Sequence, residues 1–182
     1  MENERRGYFQ PQQAVEVARS FAKHLVDYMF IGKSGAILLG FPAATQDVDL
    51  FPRKSRENGQ RIVEALREIG FEIGPIVENE ILANKDFVQI KNGPFDLDLI
   101  FAPDGIEDFD EARGRMIILE GFPIANLSDI IASKKAAGRV RDLLDLPLLE
   151  EFKEEYEKRS RSEPESAIET ATERTKDLLE KD

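Results

Sequence analysis

Two short segments of the chain share one pattern, in which aspartates alternate with large apolar residues. They are residues 47–51, DVDLF, and residues 95–101, FDLDLIF. A period of two residues is typical of a β-strand, which sends the aspartates to one face and the apolar side chains to the other. Each segment therefore predicts a strand with one acidic face and one face turned to the core.

Carboxylates held side by side on such a strand repel each other, and a cation relieves that repulsion. Asp47 and Asp49 offer hard oxygen donors, which suit Mg²⁺ or Mn²⁺. If the second strand lies beside the first, Asp98 or Asp96 adds a third carboxylate. Three carboxylates on adjacent strands can hold two divalent ions about 4 Å apart, the arrangement that supports phosphoryl and nucleotidyl transfer. The alternative is that the aspartates lie at a solvated strand edge.

Composition excludes several other classes of chemistry. The chain has no cysteine and one histidine, His24, which rules out disulfides, thiolate metal sites and multi-histidine sites. Its 36 acidic and 25 basic residues leave a net charge of −11, which disfavours binding to duplex DNA. No long apolar run or signal peptide is present, so we expect a cytoplasmic protein that does not bind membranes.

The remaining periodicity predicts a mixture of helices and strands. The predicted helices cover residues 11–29, 56–69, 106–113, 127–137 and 139–156, and the predicted strands cover 45–51, 87–91, 95–101 and 116–119, with a short strand and a short helix sharing 30–39. This order predicts an α+β fold. Composition divides the chain into one domain, 1–156, and a charged helical tail, 157–182. Within this tail, a thin apolar stripe of Ile168, Ala171, Leu178 and Leu179 indicates either a solvated helix or one that docks on a partner.

Two further segments suit a polyphosphate. Glycines in Gly32-Lys33-Ser34-Gly35, just before the first acidic strand, let backbone N–H groups approach a phosphate closely. The only concentrated basic patch is residues 134–141, KKAAGRVR. If one helix continues through Gly138, then Lys134, Arg141 and Asp145 share a face of it. The alternative for this patch is an ordinary solvated helix face.

The combination of these segments resembles a known superfamily. The pattern Gly32-x-Ser34-x-Ala36, then Gly40-x-Pro42, then Thr45-x-Asp47-x-Asp49, resembles the opening motif of the DNA polymerase β-like nucleotidyltransferases, particularly the abortive-infection and toxin–antitoxin branch. Asp98 is similar to the third carboxylate of that superfamily. Residues 128–142 resemble its C-terminal helix with Lys and Arg-x-Lys/Arg-Asp. The resemblance spans about residues 30–147.

The resemblance implies a fold and an activity. The fold is α+β, a small mixed sheet with flanking helices and further C-terminal helices, which carries Asp47, Asp49 and Asp98 on its open edge. The activity is Mg²⁺- or Mn²⁺-dependent transfer of a nucleoside monophosphate from an NTP to a hydroxyl of a transfer RNA, a protein or a small molecule. The residues implied are Asp47, Asp49 and Asp98 for metal binding and catalysis, Lys134 for catalysis, and Gly32, Ser34, Lys134, Arg141 and Asp142 for nucleotide binding.

Two positions depart from the superfamily pattern. Lys33 stands where the second glycine is expected, and Ala43 stands where an arginine is expected after Pro42. Both changes affect contacts to the nucleotide and leave the carboxylates intact. They favour a second hypothesis, a catalytically weak antitoxin or regulatory module that binds a partner protein. A metal-dependent phosphohydrolase would also use clustered carboxylates.

Overall fold

A computed structural model describes residues 7–162 of the 182-residue chain. This part of the chain contains six strands and seven helices. The strands are β1 (Tyr28–Phe30), β2 (Asp47–Pro52), β3 (Phe87–Ile90), β4 (Asp96–Ile100), β5 (Ile117–Leu119) and β6 (Phe122–Ile124). The helices are α1 (Pro11–Lys23), α2 (Gly32–Leu38), α3 (Arg56–Glu68), α4 (Pro75–Leu82), α5 (Phe109–Arg115), α6 (Leu127–Ala137) and α7 (Val140–Ser162). None of the helices in this part of the chain is long and apolar enough to cross a membrane.

The strands form one mixed sheet in the order β3-β4-β2-β1-β6-β5. Strands β2 and β4 are parallel, as are β1 and β6, and the other neighbours are antiparallel. The α+β prediction is confirmed. Strands β2 and β4 are interior strands of this sheet, so the expectation that the aspartates lie on its open edge is wrong. They lie on one face of the sheet instead.

The apolar side of the two acidic strands lies in the core, as their alternation predicts. Val48, Leu50, Leu97 and Leu99 are fully buried and belong to the same core cluster as the apolar residues of α1 and α3. Burying side chains of this size stabilises the fold by about 1.5 to 3 kcal/mol each. This packing prevents a shift of strand register, since a slip of one residue would bring the aspartates into the core.

Several boundaries differ from the sequence-based expectation. Helix α1 ends at Lys23 rather than 29, because Leu25 adopts a left-handed backbone with φ of 56° and the chain then enters the buried strand β1. Helix α4 and strand β6 were not predicted. Strand β6 contains Pro123, although proline is uncommon inside strands. The strand forms a hairpin with β5 through Glu120 and Gly121, which both adopt a left-handed backbone.

The junction between α6 and α7 is a break rather than a continuous helix. Gly138 adopts a left-handed conformation with φ of 59° and ends α6, which confirms the predicted boundary between residues 137 and 139. The condition under which Lys134, Arg141 and Asp145 would share one helical face is therefore not met. Only glycine takes this conformation readily, which makes Gly138 a natural stop. Helix α7 continues to Ser162, past residue 156. The division into 1–156 and 157–182 stays a prediction, and the stripe from Ile168 to Leu179 lies outside the described residues.

Candidate active site

The register of β2 and β4 brings the aspartates of the two acidic strands together. Asp47 lies opposite Asp96, and Asp49 lies opposite Asp98. Since paired residues of parallel strands point to the same face, all four carboxylates share one face of the sheet. Asp47, Asp49 and Asp98 also line a cleft of about 690 Å³, and we call these three residues the acidic face. Asp96 is half-buried and is not among the residues that line this cleft.

The segment before β2 holds Asp49 in position. The backbone N–H of Asp49 donates to Ser34 Oγ at 2.9 Å, and that hydroxyl donates to the Ile31 carbonyl at 3.3 Å. A Cβ on Gly32 would lie 2.5 Å from Asp49 Oδ2, and Gly32 has a φ of +63°, so no larger residue fits there without strain. Gly32 lines the cleft, whereas Ser34 is fully buried and contacts strand β2. Their assignment as phosphate ligands stays a prediction.

The acidic face carries carboxylates that are hard to ionise. Burial, and then the charges of Asp98 and Asp47, raise the pKa of Asp49 from 3.8 to about 7, although Lys134 and Arg141 act in the opposite direction. Burial and Asp47 likewise raise the pKa of Asp98 to about 6, despite a hydrogen bond from Gln89. The buried Oδ1 of Asp98 has no hydrogen-bond partner among the described residues. Such a group is suited to accept a proton or a cation.

The donor set fits a hard divalent cation. Carboxylate oxygens are the ligands that Mg²⁺ prefers, and the unpartnered Asp98 oxygen provides one of them. Within residues 7–162, no group of three or more acidic or histidine side chains is arranged to hold an ion by itself. Mg²⁺ commonly binds through one or two carboxylates together with substrate phosphates. The acidic face therefore fits an ion whose coordination a phosphorylated substrate completes.

Basic residues line the same cleft. We call Lys33, Lys134, Arg139 and Arg141 the basic wall, since all four line the cleft. Lys134 is buried, and its Nζ lies 3.2 Å from Asp142 Oδ1 and 3.4 Å from Asp145 Oδ2. Arg139 Nε donates to the other oxygen of Asp142 at 2.7 Å. The structure thus brings the predicted residues Lys134, Arg141 and Asp142 to the cleft, although α6 ends between them.

Sequence reasoning missed two residues that line the cleft, Lys33 of the basic wall and Phe87. Lys33 was treated only as a departure from a glycine, yet its Nζ lies 2.8 Å from Asp145 Oδ2. The spacing of Asp142 and Asp145, one turn apart on α7, was a signal that could have indicated paired partners for cations. Phe87 also lines the cleft and is 47% exposed on strand β3, a position that the strand pattern alone did not distinguish.

Comparison with known proteins gives only distant structural neighbours. No family model matches the chain, and no curated protein matches it. One similar solved structure is that of a candidate nucleotidyltransferase, TM1012 from Thermotoga maritima, at 15% identity and a TM-score of 0.48, covering 75% of this chain and 89% of that one. Another is JHP933 from Helicobacter pylori, at 20% identity and a TM-score of 0.45, covering 80% of this chain and 69% of that one.

Proposed function

We propose that this protein is a metal-dependent nucleotidyltransferase that moves a nucleoside monophosphate from an NTP to an acceptor hydroxyl. The observation that carries the proposal is the parallel register that sets Asp49 beside Asp98 in a cleft that four basic residues also line. An acidic face with raised pKa values suits divalent ions, and a basic wall suits the triphosphate. One cleft therefore offers complementary charge to both parts of a metal–NTP complex.

Each part of the cleft has a role in this reaction. Asp47, Asp49 and Asp98 would hold Mg²⁺ or Mn²⁺, which when bound supplies charge neutralisation and lowers the pKa of the acceptor hydroxyl. Lys134, with Arg141, would bind the triphosphate tail and stabilise the charge that develops on it. Asp142 would position Lys134 through their ion pair.

The transfer requires no reactant other than the NTP and the acceptor hydroxyl. The acceptor oxygen attacks the α-phosphorus, the bond to the β-phosphate oxygen breaks, and pyrophosphate leaves. The hydroxyl proton would pass to the carboxylate of Asp98, which lines the cleft beside Asp49. The basic wall faces the leaving pyrophosphate in this arrangement. The acceptor oxygen would enter in line with the departing pyrophosphate.

The direct test is incubation of the full chain with each α-labelled NTP, Mg²⁺ and a cell lysate, followed by identification of any labelled acceptor. We expect label on one acceptor class, whether a transfer RNA, a protein or a small molecule, and none with the Asp47→Asn/Asp49→Asn variant. Release of nucleoside monophosphate without labelling indicates a phosphohydrolase. Equal labelling by the wild type and the variant overturns the proposal.

The second hypothesis, a catalytically weak antitoxin or regulatory module, has one observation in its favour. Helix α7 exposes Val140, Leu143, Leu144 and Leu148, which are between 52% and 76% exposed. An apolar group of this kind on a charged helix is typical of a protein-binding surface. Co-purification of a partner protein that Leu144→Asp and Leu148→Asp abolish, together with no labelling from any NTP, would favour this hypothesis.

A further inference from the structure

Two lysine ammonium groups in the cleft meet at a single carboxylate oxygen. Lys33 Nζ lies 2.8 Å from Asp145 Oδ2, and Lys134 Nζ lies 3.4 Å from the same atom. Lys33 belongs to α2, Lys134 to α6 and Asp145 to α7, so three helices converge at this oxygen. All three residues line the cleft that contains the acidic face.

We propose that Lys33 and Lys134 form a grip for one oxygen of a polyphosphate tail, and that the Asp145 carboxylate occupies this grip until the nucleotide displaces it. The inference rests on the proposed function. It assigns to Lys33 a role in recognising the triphosphate, and to Asp145 the role of an internal competitor of the substrate.

Charge and burial support the grip. The side chains of Lys33, Lys134 and Asp145 are 26%, 10% and 19% exposed, so their charges are only partly screened by water. Two ammonium groups so close together need an anion between them. Asp145 supplies one negative charge, whereas a triphosphate supplies several, so exchange of the carboxylate for a phosphate oxygen is electrostatically favourable.

The surrounding contacts allow this exchange. When Asp145 moves away, Lys134 keeps its ion pair with Asp142, which Arg139 also holds. The lysine side chain therefore remains directed into the cleft. Lys33 follows Gly32, whose Cα lies against the carboxylate of Asp49. The grip is thus adjacent to the acidic face, where the α-phosphate would lie, and on the side of the leaving pyrophosphate.

A purely structural role for Lys33 and Asp145 makes a different prediction. In that case the ion pair only ties α2 to α7 and has no effect on anion binding. Lys135 and Glu150 provide a matched control, because their ion pair at 2.5 Å ties α6 to the same helix α7 but contributes nothing to the lining of the cleft. Asp104 provides a second control, as an exposed carboxylate that lines the cleft and forms no ion pair with Lys33 or Lys134.

The test is the affinity of the full chain for inorganic tripolyphosphate with Mg²⁺, measured by calorimetry. We expect Lys33→Ala and Lys33→Gln to weaken binding about tenfold, the effect of losing one hydrogen bond to a charged group. We expect Asp145→Asn to tighten binding several-fold, because it removes the competing charge. Lys135→Ala and Glu150→Gln should stay within about twofold of the wild type, as exposed ion pairs contribute little.

Each contrary outcome has a distinct meaning. Wild-type affinity in the Lys33 variants, or weaker binding by Asp145→Asn at an unchanged melting temperature, overturns the grip and leaves the proposed function standing. Equal tightening by Asp104→Asn shows that cleft charge alone matters and also overturns it. If the affinities are as expected but no nucleoside monophosphate is transferred from NTP, the grip is supported and the proposed function is overturned. Absence of tripolyphosphate binding by the wild type and Asp145→Asn overturns both.

Discussion

At the scale of single residues, the carboxylates of the acidic face lack the partners that stabilise most acidic groups in this protein. Within residues 7–162, ion pairs hold Asp142, Asp145 and most surface acids, but none forms at Asp47, Asp49 or Asp98. Burial and the repulsion between these carboxylates outweigh the nearby cations, which is why the pKa values of Asp49 and Asp98 are raised. Two measurable consequences belong to these residues.

The first concerns pH in metal-free buffer. Between about pH 4 and pH 7 the folded protein retains a proton on Asp49 that the unfolded chain has lost, so the free energy of unfolding falls as the pH rises through this window. The rise in the pKa of Asp49 limits this fall in the free energy of unfolding to about 4 kcal/mol at most. We expect the wild type to melt at a lower temperature at pH 8 than at pH 5.5, and Asp49→Asn to show a smaller decline. Identical pH slopes for the two proteins would contradict this.

The second concerns added metal. Millimolar Mg²⁺ or Mn²⁺ should raise the melting temperature at pH 8, because an ion that binds only the folded state stabilises it by mass action. Asp47→Asn/Asp49→Asn should abolish the shift, and should itself stabilise the metal-free protein by removing like-charge repulsion. Thermal melts with and without EDTA measure both effects. Metal-induced shifts of equal size in the wild type and the double variant would argue against a metal site here.

At the scale of elements, the break between α6 and α7 assembles the basic wall. Gly138 ends α6 and lets α7 return beside it, so that Asp142 and Asp145 reach Lys134 across the turn. In one straight helix, Lys134 and Asp142 would be eight residues apart, about 12 Å along the axis. The tertiary turn rather than a shared helical face therefore brings Lys134 into the same cleft as Arg141.

Neighbouring lysines of α6 should differ sharply in function. Lys134 is buried in the cleft, whereas Lys135 pairs with the exposed Glu150 outside it. We expect Lys134→Ala to reduce NTP affinity or the transfer rate at least about tenfold and Lys135→Ala to change it less than about twofold. Nucleotide titration and a transfer assay on both variants, with melting temperatures in parallel, measure the difference. Greater damage from Lys135→Ala would mean that the match of this helix to the superfamily pattern is off by one residue.

At the scale of the whole molecule, charge is distributed unevenly. The chain carries a net charge of −11, yet four cationic residues line a single cleft, together with seven aspartates of which three form the acidic face. A negative surface with one local basic wall favours a compact polyphosphate held by a cation over a long nucleic acid duplex. The acidic face and the basic wall come from segments far apart in the chain, and the fold brings them to the same cleft.

The last prediction concerns residues 157–182. This segment is rich in charged residues and poor in large apolar ones. Its burial would therefore not offset the loss of backbone entropy, which costs roughly 1 to 2 kcal/mol for each ordered residue. Tyr156, just before it, packs against Phe152 and would remain. We expect deletion of 157–182 to leave the melting temperature within a few degrees and metal–NTP binding intact. A deletion variant that is insoluble, or that melts about 10 °C or more below the wild type, would show that the segment belongs to the fold.

The local sequence pattern was sufficient to predict an element where the spacing of its apolar residues has a single period and the element has a clear end. The alternation of residues 47–51 and 95–101 predicts the two strands and the face on which their aspartates lie. Local pattern was insufficient at β6, because proline is uncommon inside strands and β6 contains Pro123. It was also insufficient at α1, because the helical periodicity continues into the buried strand β1. In both places neighbouring strands outweigh local preference.

By itself, the sequence determined which residue types are available and how they are spaced along the chain. Carboxylates on two strands, a glycine where Asp49 needs space and a cationic patch near residue 138 are all visible in it. Only the tertiary structure decided that Asp98 rather than Asp96 lines the cleft, and that Lys33 and Lys134 meet at Asp145. The physical reason is that strand register and the α6–α7 turn depend on packing between distant segments, which no local period encodes.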